Sequence, residues 1–190
     1  MPDRHGIANM ALGFLGADAL QSFDDGTTHA DLCKALYEGC VTTVLQDHDW
    51  RFAEAVERLG RDAVPARPDF SASYALPRDC IIPRGLLTTD GYRSNYSYRV
   101  QGRSLCTDQE SPWLVYTRRA PEQFFAPYFV KAVAYLLASE LAGPLTEDAK
   151  KAADNLKAYS FWVARGRSLD SQQDTSSAVD TYELVRWHTG

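Results

Sequence analysis

The chain has 190 residues, is 45% hydrophobic and carries a formal charge of -5, which suits one globular domain with a packed core and excludes disorder throughout. The acidic balance argues against a protein whose main task is gripping a phosphate backbone. No window reaches the roughly 18 apolar residues a membrane span requires, and the N-terminus has no apolar signal segment, so a soluble protein made in a cytoplasm is expected.

The first element is a short apolar helix over about 6–15, with Gly16 suited to its C-terminal cap. A polar loop ends in Thr27 and Thr28, which suit the N-cap of a second helix over about 29–47. Leu32, Cys33, Leu36, Cys40 and Val44 recur there at helical spacing and define its buried stripe. Cys33 and Cys40 lie on one face and are too far apart to bridge within a helix. With Cys80 and Cys106 they show no zinc or redox spacing, so free and mostly buried thiols are expected.

Between Ala53 and Leu59 the pattern fits helix and strand equally. Pro65, Pro68 and Pro77 then force an extended crossing. Residues 80–88, 96–101, 103–107 and 113–118 are short and rich in β-formers, with turns at Asp90-Gly91 and Gly102, so a small antiparallel β subdomain is expected over about 78–120. Pro83 cannot donate to a central ladder and assigns its strand to an edge or a bulge.

Helix returns at Pro127 and is expected to run over 127–143, buried through Val130, Val133, Leu137 and Leu141 and stopped by Gly143-Pro144. Thr146, with Glu147 and Asp148, is read as the cap of a last helix over 146–166. Its packing face is read as Ala149, Ala152, Ala153, Leu156, Tyr159 and Val163, ending near Gly166. The expected fold is therefore α+β and mainly α, a bundle of about four helices bearing a small antiparallel β subdomain. Residues 1–167 form a single domain, and 168–190 form an extended C-terminal arm.

The stretch LQDHDWRFAEA from Leu45 gathers the residues most like a reactive cluster. Consecutive side chains diverge around a helix, so Asp47, His48 and Asp49 do not form a catalytic group by adjacency. Trp50 and Phe52 are instead read as a structural joint, turning inward to fix the end of the second helix. His5, His29, His48 and His188 show no metal-ligand spacing, and no nucleophile elbow, P-loop or dinucleotide motif occurs. No catalytic, cofactor-binding or metal residue is assigned; a hydrolase using His48 would have to assemble its nucleophile from distant residues.

Tyr92 to Arg103 (YRSNYSYRVQGR) interleaves aromatic and basic residues, as single-stranded nucleic-acid binders do. Strand alternation places Tyr92, Tyr96, Tyr98 and Val100 on one face and Arg93, Asn95, Arg99 and Gln101 on the other, the split of an aromatic face packed inside. Beyond 168 the chain is too polar to bury itself until Tyr182, Leu184, Val185 and Trp187, an apolar cluster on a polar tether. Such an end either orders on a partner or folds back over its own domain.

Taken in order, NMALGFLG from Asn9, LQDHDWRFA from Leu45, YALPRDC from Tyr74, VQGR from Val100, WLVYTRR from Trp113 and FVKAVAYLLASELAGPLT from Phe129 resemble the tail tubular protein A family, the head-to-tail adaptors of short-tailed bacteriophages. The resemblance spans most of residues 6–165 and lies in order and spacing, since no single motif is a chemical signature. It implies a structural virion protein and not an enzyme: a ring, typically of twelve copies, that binds the portal and meets the tail nozzle protein. DNA is then only passing cargo, retained and later ejected through the channel, with no membrane partner and no cofactor. It also implies a portal-docking role for the arm, with Tyr182, Leu184, Val185 and Trp187 as its contacts. A nucleic-acid-binding module using 92–103, or another neck or tail completion protein, is the alternative.

Overall fold

A computed structural model describes residues 2–62 and 67–172. Four helices, α1 (Arg4–Leu15), α2 (Thr28–Gln46), α3 (Pro127–Thr146) and α4 (Ala149–Gln172), form the larger part. Six strands lie between α2 and α3: β1 (Glu54–Arg58), β2 (Ala72–Ala75), β3 (Cys80–Leu87), β4 (Tyr98–Gln101), β5 (Ser104–Thr107) and β6 (Trp113–Arg118). The fold is α+β and mainly α.

Local chemistry sets the helix ends. Gly16 closes α1 in the left-handed conformation, its N–H donating to the Gly13 and Leu12 carbonyls. The Thr27 side chain accepts from Ala30 N–H and caps α2. α3 does not stop at Gly143-Pro144. Pro144 sits inside its final turn, and Glu147, left-handed at φ 52°, ends it by donating its N–H to the Gly143 carbonyl. The cap of α4 is Asp148 and not Thr146: Asp148 Oδ1 accepts from Lys150 and Lys151 N–H, while Thr146 Oγ1 donates to Ala142 within α3. A carboxylate at that end also meets the positive pole of the helix.

α3 is the central helix. Tyr128, Phe129, Val130, Ala132, Val133, Ala134, Leu136, Leu137, Ala138, Leu141 and Ala142 are all buried, so apolar surface on most of its circumference is covered by α1, α2 and α4. On α2 the stripe is rotated from the expected one: Cys33, Cys40 and Val44 are buried with Ala30, Tyr37, Val41 and Leu45, while Leu32 and Leu36 are half-buried. α4 does not end at Gly166. It runs on to Gln172 and packs through Ala152, Asn155, Tyr159, Val163, Gly166 and Asp170, leaving Ala153 and Leu156 in water. Residues 168–172, read above as the start of the arm, thus belong to the helix.

The strands form two three-stranded antiparallel sheets, β1-β6-β3 (sheet A) and β2-β5-β4 (sheet B). Strand structure therefore begins at Glu54, well before 78. The sheets meet over a second small core, where Leu86, Leu114 and Tyr116 of sheet A face Tyr74 and Leu105 of sheet B. Pro83 lies in edge strand β3, whose register against β6 shifts at Cys80/Ile82 and again at Pro83/Gly85, an arrangement that asks no ladder donor of the proline.

All four cysteines are free and buried. Burial disfavours the thiolates of three of them, pushing Cys33 and Cys80 up to about 11 and Cys40 up to about 12. Unfolded thiols ionise near 8.5, so above that pH the unfolded chain binds fewer protons than the folded one and stability falls as pH rises. Each thiol removes about 1.4 kcal/mol per pH unit until its folded-state value is passed. Urea unfolding under reductant should therefore give a midpoint clearly lower at about pH 10 than at about pH 7.5, a loss on the order of a few kcal/mol.

Candidate functional site

The stretch Asp47–Phe52 is where α2, α3, α4 and sheet A converge. Trp50 is fully buried and its Nε1–H donates to the Val44 carbonyl at 2.6 Å, satisfying a terminal acceptor of α2. Its ring stacks on Tyr128 at 5.7 Å and meets Phe129 edge-on at 5.6 Å, both at the start of α3. Phe52, half-buried, packs on Phe129 and Phe125 at 4.9 and 5.7 Å. Such tilted and offset geometries are those the ring quadrupoles favour.

Sheet A is tied to the same turn by Arg84. Its guanidinium donates to the His48 carbonyl at 3.2 Å and Thr117 Oγ1 at 2.9 Å, reaches the Leu45 carbonyl at 3.5 Å, and pairs with Asp49 at 2.7 Å. A cation on the last carbonyls of α2 also complements the negative pole of that helix.

α4 closes the other side. Tyr159 donates its hydroxyl to Asp47, and Arg167 donates to the Asp47 carbonyl. Asp170, buried at 2% exposure, accepts from Tyr128 Oη at 2.8 Å and Arg51 N–H at 3.2 Å, with His48 Nε2 at 3.4 Å. Burial and the adjacent Asp170 carboxylate raise the Tyr128 phenol well above its usual range, and burial with Asp47 does the same for Tyr159, so both hydroxyls remain donors. The nearby Ser171 hydroxyl is committed to the Arg167 carbonyl at 2.8 Å. The His48–Asp170 pair is thus a device for holding a helix end. Asp170 continues the helical spacing of Val163 and Gly166, but the polar composition from residue 168 onward hides it in the sequence.

Gly166 permits this docking. A Cβ there would lie 2.8 Å from Tyr128 Cδ2 and 3.0 Å from two atoms of the Trp50 ring. Gly166→Ala gains about 1 kcal/mol of helix propensity but overpacks a junction of rigid rings, which costs about 1 to 3 kcal/mol. The variant is expected to be destabilised, and a lower thermal midpoint would show it.

The aromatic segment differs from its expected form. Only Tyr98–Gln101 is strand, and Tyr92 and Tyr96 are exposed, at 75% and 56%, instead of packed inside; Val100 on edge strand β4 is also exposed. Alternation holds only where a ladder fixes the pleat, and residues 94–97 belong to no strand. Arg93 and Arg99 are exposed beside them. Other large apolar side chains stand in water on unlike parts of the fold: Leu156 and Phe161 on different sides of α4, Phe124 just before α3, and Val56 and Trp113 on sheet A. Tyr182, Leu184, Val185 and Trp187 lie outside the described residues. Among the described residues no cluster of His, Cys, Asp or Glu is placed to hold a metal ion, and no helix is long and apolar enough to cross a membrane. No protein-family model and no curated protein matches the chain.

Proposed function

We propose that the chain is a structural adaptor of the head-to-tail connector type, a subunit that closes into a ring between the portal and the tail nozzle protein of a short-tailed phage. The observation that carries this reading is that exposed apolar side chains stand on unlike parts of the fold, Leu156 and Phe161 on α4 and Val56 with Trp113 on sheet A. A ring needs heterologous contacts, one face meeting a different face of the next copy, because a self-complementary contact stops at a dimer. The ordered set of motifs from Asn9 to Thr146 supplies the connector context.

In this reading the subunit works through binding alone. The junction at Trp50 and Asp170 makes the bundle, sheet A and the root of the arm one unit, so the segment beyond Gln172 emerges from a defined position. Each copy docked on a portal raises the effective concentration of its neighbour's lateral contact, and individually weak faces add to a stable collar. The acidic chain is compatible with a conduit that does not retain the passing duplex.

Mass measurement of the purified protein with and without portal tests the scheme. Monomers or small oligomers alone, and a complete ring on the portal, are expected. Removing residues 173–190, which leaves the described part of α4 whole, should abolish portal attachment while leaving the domain folded. Normal incorporation of that truncated chain into particles would reject the arm's role.

A second reading is favoured by the exposure of Tyr92 and Tyr96 beside Arg93 and Arg99: a nucleic-acid contact in which the rings stack on bases and the guanidiniums neutralise phosphates. Labelled single-stranded DNA would then bind with an affinity that falls steeply with salt and is lost in Arg93→Glu/Arg99→Glu. No binding at low salt removes it.

A further inference from the structure

We propose that the outer face of sheet A, together with the open edge of β1, is a docking surface for this chain's own residues 182–187. Among the described strands β1 pairs with β6 alone, so one side of Glu54–Arg58 presents backbone N–H and C=O groups to which no strand is paired. Val56 stands opposite Val115, and Trp113 opposite Arg58 and Leu87. Directly paired residues share a face, so these side chains make one apolar stripe on the side away from Leu114 and Tyr116, which face the core between the sheets. Val56 is 47% exposed and Trp113 36%. Beside the stripe opens a cleft of about 230 Å³, lined by Gly85, Leu87 and Val115 of the sheet and by Arg93 and Tyr96.

The position of Gln172, the last described residue, points to the occupant. A second cleft, lined by His48, Arg51, Asp170 and Ser171, shares Asp49, Glu54 and Arg93 with the first. The described part of α4 runs to Gln172, one residue beyond it, so the chain continues from the rim of the apolar face. The next residues, QDTSSAVDT, are polar, and YELVRW follows. The step from Gln172 to Tyr182 reaches at most roughly 33 Å when extended, whereas a strand as short as β1 is about 17 Å long, so the segment reaches any point of that face. Tyr182, Leu184, Val185 and Trp187 supply apolar area for the stripe, and an extended segment along β1 would satisfy its open backbone groups.

A weak contact suffices. A tether of this kind holds its end at an effective concentration on the order of 1 mM, so an affinity of about 0.1 mM for the separate segment keeps the face occupied about ten times out of eleven. The contact is intramolecular and does not depend on the adaptor reading. If both hold, a portal competes with sheet A for the same aromatic residues.

Hydrogen exchange on the full-length chain and on full-length Leu184→Glu/Trp187→Glu tests the proposal. Amides of residues 54–58 and 113–115 should exchange about tenfold faster in the variant, with α3 unchanged, at every protein concentration. Val56→Glu, a change at an exposed position on the receiving side, should release 182–187 to fast exchange without altering the bundle. Equal rates in all three proteins would overturn the proposal. Protection that grows with protein concentration would assign the face to a second copy's segment and overturn the intramolecular form.

Discussion

Trp50→Ala is expected to lower the unfolding free energy by about 3 to 5 kcal/mol, the usual loss for a fully buried large aromatic. The magnitude follows from the neighbours: the indole packs with Tyr128 and Phe129 of α3 and with His48 and Phe52 of its own turn, and it lies so near Gly166 on α4 that a Cβ there would come within 3.0 Å of it, so no single element can move to refill the space. Deletion also removes the Nε1–H donor from the Val44 carbonyl. Against a net stability of about 5 to 15 kcal/mol for a domain, that brings the protein near its threshold. Trp50→Phe keeps much of the packing and loses chiefly the hydrogen bond, about 1 to 2 kcal/mol. Phe52→Ala should cost less than Trp50→Ala because Phe52 is only half-buried. Urea titrations of the three variants, followed by circular dichroism, give the order directly.

Asp170→Ala is the second large effect, with an expected cost of about 3 to 5 kcal/mol when a buried, multiply bonded carboxylate is removed from its partners. The Tyr128 hydroxyl loses its acceptor at a buried position and carries the desolvation penalty of a stranded donor, and the part-buried Arg51 N–H loses its bond to the same carboxylate. Asp170→Asn retains one acceptor oxygen and should cost less. Much of the loss is expected to be local: hydrogen exchange should show amides of residues 163–172 opening well before those of α3. Uniform acceleration through the whole chain would instead make Asp170 part of the global core.

The helical half of this organisation is legible in the chain because long periodic segments carry their own signal. Thr27 and Gly16 mark their ends by capping chemistry, and α3 is too apolar to belong anywhere but the centre. Legibility failed where a residue's role depends on distant neighbours. β1 and β2 have five and four residues, too few for alternation to separate strand from helix. Leu156 was placed inward because it is apolar, whereas α4 turns Asn155 and Asp170 inward and leaves Leu156 out. By its type Gly166 suggests a helix terminator; in the fold it lets α4 approach a tryptophan from another part of the chain. The same holds for the junction: Arg51 and Asp170 are 119 residues apart, and only the packed bundle brings them together.

The irregular strand at Pro83 limits how copies of this protein can stack. A sheet with two regular borders is an open template, each molecule extending the ribbon begun by the last. Here β3 offers an interrupted border, with a proline and two register shifts, so ribbon growth through β1 of one molecule and β3 of another has no straight seat. Pairing through β1 consumes the one regular border of sheet A. Sheet A is thereby guarded against ribbon growth at its β3 border, where one imino acid interrupts the ladder.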